Sequence, residues 1–194
     1  MALPFTEARR DEIRMRLYES ACRYALSTGV KKTSLDMLTA DAGIAKSSFY
    51  KFFESKEQLF LMVAAGWEEK ILACGTRALE ESCGGSNKSR AAAFVYAVFE
   101  AIHQLGIARF LREDLPYLNE FAPQLLTREH CMDSADGIFD QLRHAQITFT
   151  VPDETVLSVI RLLYLSILHI GDLGSAFFPA LRELVVSACD RLVA

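Results

Sequence analysis

The chain has 194 residues, 51% of them apolar, and a formal net charge of −4. That length is enough for one large core or two small ones, and the charge excludes a protein that is basic all over. The apolar stretch Val156 to Ile170 is interrupted by Ser158, Arg161, Ser166 and His169, so no membrane span is expected. Met1 to Arg10 lacks the apolar centre of a secretory signal, and a cytoplasmic location is the expectation.

The charge is unevenly spread. Residues 1–60 carry 10 Lys and Arg against 8 Asp and Glu, whereas residues 61–194 carry 11 against 17. A slightly basic head on an acidic body suits a protein that offers one end to a polyanion. The cysteines, Cys22, Cys74, Cys83, Cys131 and Cys189, are odd in number and contain no C-x-x-C pair, so zinc-ribbon and disulfide frameworks both fail on spacing. His103, His130, His144 and His169 show no ligand spacing, and no metal site is expected.

Nearly every segment reads as helix, about nine in all. The first starts at Thr6 as N-cap and runs to Thr28, with Ile13, Leu17, Ala21, Tyr24 and Ala25 as its apolar stripe and Gly29 as its stop. Thr33 with Asp36 resembles a capping box that opens a second helix, Gly43 supplies a turn, and a third helix covers Ala45 to Phe52. Ser55 with Gln58 repeats the capping pattern and opens a longer helix reaching Ser82. Cys83 to Asn87 is the clearest loop.

Further helices are expected over Lys88 to Leu105, Ile107 to Asp114, Pro123 to Ala145, Pro152 to Ile170 and Ala176 to Val193, with Pro116 as a break. Ile147 to Val151 alone alternates like a strand, and it reads as a loop before Pro152.

Two short helices about a glycine turn, followed by a capped third, have the spacing of a helix-turn-helix, whose second helix enters the DNA major groove. Phe49 and Phe53, four apart, would anchor that helix inward and leave Lys46, Ser47, Tyr50 and Lys51 on its outer face. Thr33 and Ser55 serve equally well as helix caps, and Lys31, Lys32 and Lys51 as solvated charges.

The run Ala42-Gly43-Ile44-Ala45-Lys46, then Phe49-Tyr50-Lys51-Phe52-Phe53-Glu54-Ser55-Lys56-Glu57-Gln58-Leu59, with Ala21, Tyr24, Gly29 and Thr33 before it, resembles the DNA-binding domain of the TetR family of transcriptional regulators. The resemblance covers roughly residues 8–60. It implies an all-α chain: a three-helix DNA-binding domain over residues 1–55 and a helical ligand-binding and dimerisation domain over 56–194. It also implies DNA contacts from Thr33, Ser34, Ala45, Lys46, Ser47, Tyr50, Lys51 and Lys56. Three positions depart from the family pattern. Ala45 stands where Ser is common, Ser47 where Gly is common, and Phe52 where Tyr or His contacts phosphate; a phenyl ring cannot donate that bond.

A single helix-turn-helix reads too few base pairs for specificity, so a homodimer on a palindromic operator is expected. The apolar surface of the last two helices offers the interface: Val156, Ile160, Leu163 and Ile167 on one, Phe177, Leu181, Leu184 and Ala188 on the other, unless all of it is core. Trp67, Phe94, Val98, Phe110, Tyr117, Phe121, Phe139 and Tyr164 are the large side chains expected to line a pocket for a small apolar effector. No Gly-rich phosphate loop, H-E-x-x-H or catalytic triad signature is present, so neither an enzyme nor a cofactor is expected. The expected function is a ligand-responsive repressor. A non-specific architectural DNA protein, or a regulator controlled by a protein partner, is the alternative.

Overall fold

The computed structural model describes residues 6–121 and 134–194, and side chains except those of residues 121 and 134. Among the described residues the chain is all-α, with nine α-helical segments, one 3-10 segment and one π turn. No helix there is long and apolar enough to cross a membrane. The described residues cluster into two units, one within Met1–Gly66 and Arg109–Cys131, the other within Trp67–Ala108 and Met132–Ala194.

In the first unit, α1 (Glu7–Leu26) is capped by Thr6, whose Oγ1 accepts from the Arg9 amide. Ile13, Leu17, Ala21 and Ala25 are fully buried along one stripe, as the 3.6-residue period requires. Tyr24 is only half-buried. Its hydroxyl bonds the Asp41 carboxylate, and that bond raises the tyrosine pKa.

The second helix, α2 (Leu35–Ala42), corrects the capping expectation. Its cap is Ser34, whose Oγ accepts from the Met37 amide at 3.2 Å, while the Thr33 hydroxyl donates backward to Gly29 O at 2.7 Å. The turn that follows Gly29 brings Thr33 over that carbonyl and leaves its neighbour to cap. Gly43 ends α2 in the left-handed region at φ +67°, which glycine enters without a Cβ penalty.

Next come the 3-10 segment Lys46–Lys51 and α3 (Lys56–Glu81). Ser55 caps α3 by accepting from the Gln58 amide at 3.0 Å, and the Gln58 side chain accepts from the Glu54 amide at 2.8 Å. The reciprocal pair expected from the spacing is therefore formed, displaced by one residue on its return arm.

Pro116 does not break its helix. The chain winds from the π turn Phe110–Asp114 straight into α5 (Leu115–Phe121). The Leu115 amide reaches back to Phe110 O, a wider turn that makes room just before a residue with no N–H and a bulky ring. This stretch belongs to the first unit, packed on α1.

The second unit is built from the C-terminal part of α3 with α4 (Asn87–Gln104), α6 (Ser134–His144), α7 (Asp153–Leu168), the short α8 (Ile170–Leu173) and α9 (Phe177–Leu192). Its core joins Phe94, Val98, Phe99 and Ile102 of α4 to Ile138 and Leu142 of α6, Ile160 and Ile167 of α7, and Leu181 and Val185 of α9. Gly75 lets α3 close on α4, since a Cβ there would meet Phe94 and Val98 at 2.7–2.8 Å. The segment read as a loop before Pro152 makes a short antiparallel bridge between Phe149 and Val193, with the Thr150 amide donating to Leu192 O at 2.8 Å. The N-terminal part of the helix expected over Pro123 to Ala145 lies outside the described residues, as do His130 and Cys131.

Candidate nucleic-acid interface

The 3-10 segment is too short and too polar to hold itself. Phe49, fully buried, is its anchor, with the Phe53 ring 5.8 Å away and the Tyr50 ring edge-on at 5.7 Å. Burial of a side chain of that size supplies about 1.5–3 kcal/mol. With Phe49 inside, Ala45, Lys46, Ser47, Tyr50 and Lys51 are exposed, Tyr50 at 60%. Ala45 makes no side-chain capping bond at the N-terminus of the segment, so the amides there keep their capacity for an outside acceptor.

An exposed phenol beside two lysines and a serine, on an element pinned from behind, forms a surface suited to a polyanion. Lys46 Nζ lies 2.9 Å from Asp36 Oδ2, with both groups solvent-exposed. Such a pair is weak and gives way to a competing acceptor at little cost.

The remaining expected contacts sit differently. Ser34 is exposed but its hydroxyl is engaged in the α2 cap. Thr33 is 1% exposed, and its hydroxyl serves the turn after Gly29. Lys56 Nζ donates to Val30 O and Thr33 O, both at 2.9 Å, tying α3 to the loop that precedes α2. These two residues build the frame of the surface.

That frame has two further fastenings with no counterpart in the sequence expectations. Asp41 of α2 accepts from the Ser20 hydroxyl at 2.6 Å and from Arg23 at 2.8 Å. The Ser20 bond is the largest reason its pKa is held low, with Tyr24 and Arg23 adding to it. Just past the end of α1, Asp114 accepts from the Val30 amide at 3.0 Å, and Arg109 donates to both Asp114 and Ala25 O. Burial pushes the Asp114 carboxyl up, against the lowering effect of the Val30 amide and Arg109. Gly29, at φ +85°, gives these groups room, since a Cβ there would lie 3.0 Å from an Arg109 nitrogen.

Arg10 also escaped the sequence reading. Its Nη2 donates to Lys51 O at 3.3 Å, and its guanidinium lies 5.7 Å from the centre of the Phe52 ring. The signal was Phe52 itself, an aromatic with no hydrogen-bonding group at the end of the exposed segment.

In the second unit, the expected pocket residues Trp67, Phe94, Val98 and Phe139 are buried and Tyr164 is half-buried. Phe110 and Tyr117 are not with them. They belong to the first unit, where Tyr117 lies under Lys31 with Nζ 4.9 Å from the ring centre. The side chain of Phe121 lies outside the described residues. A cavity of about 30 Å³ in this unit is lined instead by Ala91, Val95, Leu142, Phe149, Val156, Ile160, Leu163 and Val185 among others. An open groove of about 540 Å³ between α4 and α9 is lined by small residues with Lys88, Tyr96 and Arg182.

The expected interface residues divide sharply. Val156, Ile160, Ile167, Phe177 and Leu181 are core residues of their own unit, and Leu163 and Ala188 are half-buried. Leu184 is 59% exposed, and the apolar residues exposed with it are Leu162 at 66%, Leu165 at 54%, Leu173 and Val186. Seven of the eight residues expected to face a partner are thus buried or half-buried within their own unit, and only Leu184 of them is exposed. No group of His, Cys, Asp and Glu among the described residues is arranged to hold a metal ion.

Comparison with known proteins agrees with the geometry of the first unit. Residues 17–63 match the family model of the bacterial regulatory proteins, tetR family. No curated protein matches the chain. Among solved structures, a TetR family transcription regulator from Marinobacter aquaeolei VT8 is 17% identical, with 97% of this chain and 99% of that one covered and a TM-score of 0.64. The multidrug binding protein EbrR, solved with imidazole, is 15% identical over 90% of this chain and 93% of its own, with a TM-score of 0.66. RolR, solved with resorcinol, is 17% identical over 94% and 89%, with a TM-score of 0.56. At these identities the neighbours show the fold alone, and the family model covers one segment: the described residues have the all-α fold of solved TetR-family transcriptional regulators, and residues 17–63 are similar to the tetR family of bacterial regulatory proteins.

Proposed function

We propose that this protein is a sequence-specific, DNA-binding transcriptional repressor, dimeric on a palindromic operator, which leaves DNA when a small molecule binds its second unit. The observation that carries the reading is the exposed row Lys46, Ser47, Tyr50 and Lys51 on a segment pinned by buried Phe49. Lys46 and Ser47, at the N-terminal end of that segment, are the base readers, and Tyr50 and Lys51 the phosphate contacts. The Asp114–Arg109 clamp and the Lys56 bonds hold the head together without touching DNA.

The small-molecule arm rests on two facts. Structures of this fold are solved with imidazole and with resorcinol, both small planar rings. The second unit buries Trp67, Phe94 and Phe139, side chains suited to such rings. The helix α3 has residues in both units, which makes it the candidate carrier of the coupling. A coupling of about 3 kcal/mol weakens operator binding over a hundredfold.

Selection of bound duplexes from a random pool tests the DNA arm. The expected product is a two-fold symmetric site protected as two half-sites about one helical turn apart. Recovery of unrelated sequences with equal affinity would replace the repressor with an architectural DNA protein. The ligand arm is tested with compounds that raise the melting temperature of the protein. Each should weaken binding in a gel-shift titration, and ligands that stabilise without weakening it would sink the switch.

A further inference from the structure

Helix α1 carries five arginines, and four of them stand next to a carboxylate. Arg9 and Arg16 each lie 2.6 Å from Glu12, Arg14 lies 3.7 Å from Asp11, and Arg23 lies 2.8 Å from Asp41. Arg10 differs. Among the described residues it forms no ion pair; its contacts are Lys51 O and the face of Phe52. A carbonyl and a π face orient a cation without cancelling its charge. A guanidinium has five N–H donors in a planar fork, and the Lys51 bond uses one.

We infer that Arg10 is a DNA-backbone contact of this protein, held ready by Phe52 as its positioning residue. The inference rests on the DNA-binding reading above and adds a residue from α1 to it. Lys51 is the last residue of the exposed 3-10 segment, so its carbonyl places the Arg10 charge at the end of the row that carries Tyr50. A fork fixed on one side by a carbonyl and below by a ring loses little further freedom when it takes a phosphate oxygen pair. Phe52 cannot donate a bond to phosphate; through its ring it presents a residue that can.

The test measures binding of the full chain to a random-sequence duplex of about 30 base pairs, from about 50 to 200 mM KCl. Arg10→Gln keeps a donor for Lys51 O and removes the charge. Its plot of log affinity against log salt should be shallower by about one unit per protomer, which is roughly a threefold smaller loss of affinity over that range for each contact removed. Arg10→Lys should keep the wild-type slope at lower affinity, because the charge remains and the fork is gone. Phe52→Leu should weaken binding at an unchanged slope, and Phe52→Tyr, which keeps the ring, should bind no more weakly than wild type.

A folded Arg10→Gln with the wild-type slope would overturn the inference and leave Arg10 as a cap on the 3-10 segment. If that variant does not fold, a Phe52→Leu protein of undiminished affinity overturns it instead. Wild-type protein that shows no salt-dependent binding at all would remove the DNA-binding reading itself, a distinct result.

Discussion

Asp114 accepts a hydrogen bond from the Val30 amide at 3.0 Å across eighty-four residues of chain. The carboxylate is 4% exposed, Arg109 lies 3.4 Å from it, and Arg109 also donates to Ala25 O at the end of α1. One side chain from the π turn therefore satisfies the first amide after Gly29, and its partner satisfies a carbonyl that α1 leaves open. Asp114→Ala should destabilise the protein by about 2–3 kcal/mol, because it orphans a buried amide and an arginine together. Thermal unfolding measures this, and a loss under half a kcal/mol would mean the clamp is ornamental.

Glu68 of α3 gives a pH signature to the second unit. Desolvation raises its pKa from 4.5 to about 7. Gly137 of α6 lies alongside, where a Cβ would stand 3.5 Å from Glu68 Oε1. The folded-state value lies above the unfolded one, so the favourable contribution of the neutral carboxyl is fully present below about 4.5 and is lost as pH rises through about 7. The group is partly solvated, which limits the effect to about 1–2 kcal/mol. Glu68→Gln should melt higher than wild type near pH 8 and nearly level with it near pH 5. An equal difference at both pH values would count against this assignment.

The sequence made the α1 stripe legible because Ile13, Leu17, Ala21 and Ala25 repeat with helical period and nothing competes with that period. It also made Gly43 and the Ser55–Gln58 cap legible, since both are local chemistry. Thr33 and Ser34 were ambiguous for the same reason: two adjacent hydroxyls both suit an N-cap, and only the path after Gly29 decides between them. Pro116 was misleading, because a π turn that accommodates a proline leaves no local signature. The apolar stripes of α7 and α9 were recognised as stripes, but periodicity cannot say which of two apolar faces meets the core. Arg109, Asp114 and Arg10 act across long separations, where a single sequence carries no pairing information. In the exposed row, Lys46 and Tyr50 were legible because Phe49 and Phe53 fixed which face was inward.

Lys46 and Tyr50 should fail in different ways when removed. Tyr50 is exposed and packed edge-on against Phe49, so Tyr50→Ala should keep the fold and weaken binding to every duplex alike, as loss of a phosphate contact does. Lys46→Ala should change which sequences are recovered from a random pool and reduce discrimination at one base position per half-site by about 1–3 kcal/mol. Circular dichroism on both variants checks the premise. Unfolding of either would show that its side chain supports the head and does not read DNA.

The exposed leucines of α7 and α9 make the sharpest test of the proposed dimer. Leu165 and Leu184 are exposed at 54% and 59%, whereas Val156 is 4% exposed within its own unit. A charge placed on an exposed residue costs an isolated protomer almost nothing, but buried between two protomers it has no partner. Leu165→Glu and Leu184→Glu should therefore keep wild-type helicity and weaken self-association by about a hundredfold or more, read by sedimentation. Val156→Glu should instead unfold the second unit, because that charge would enter the core of a single chain. Leucine variants that stay dimeric at the wild-type dissociation constant would place the interface on another face.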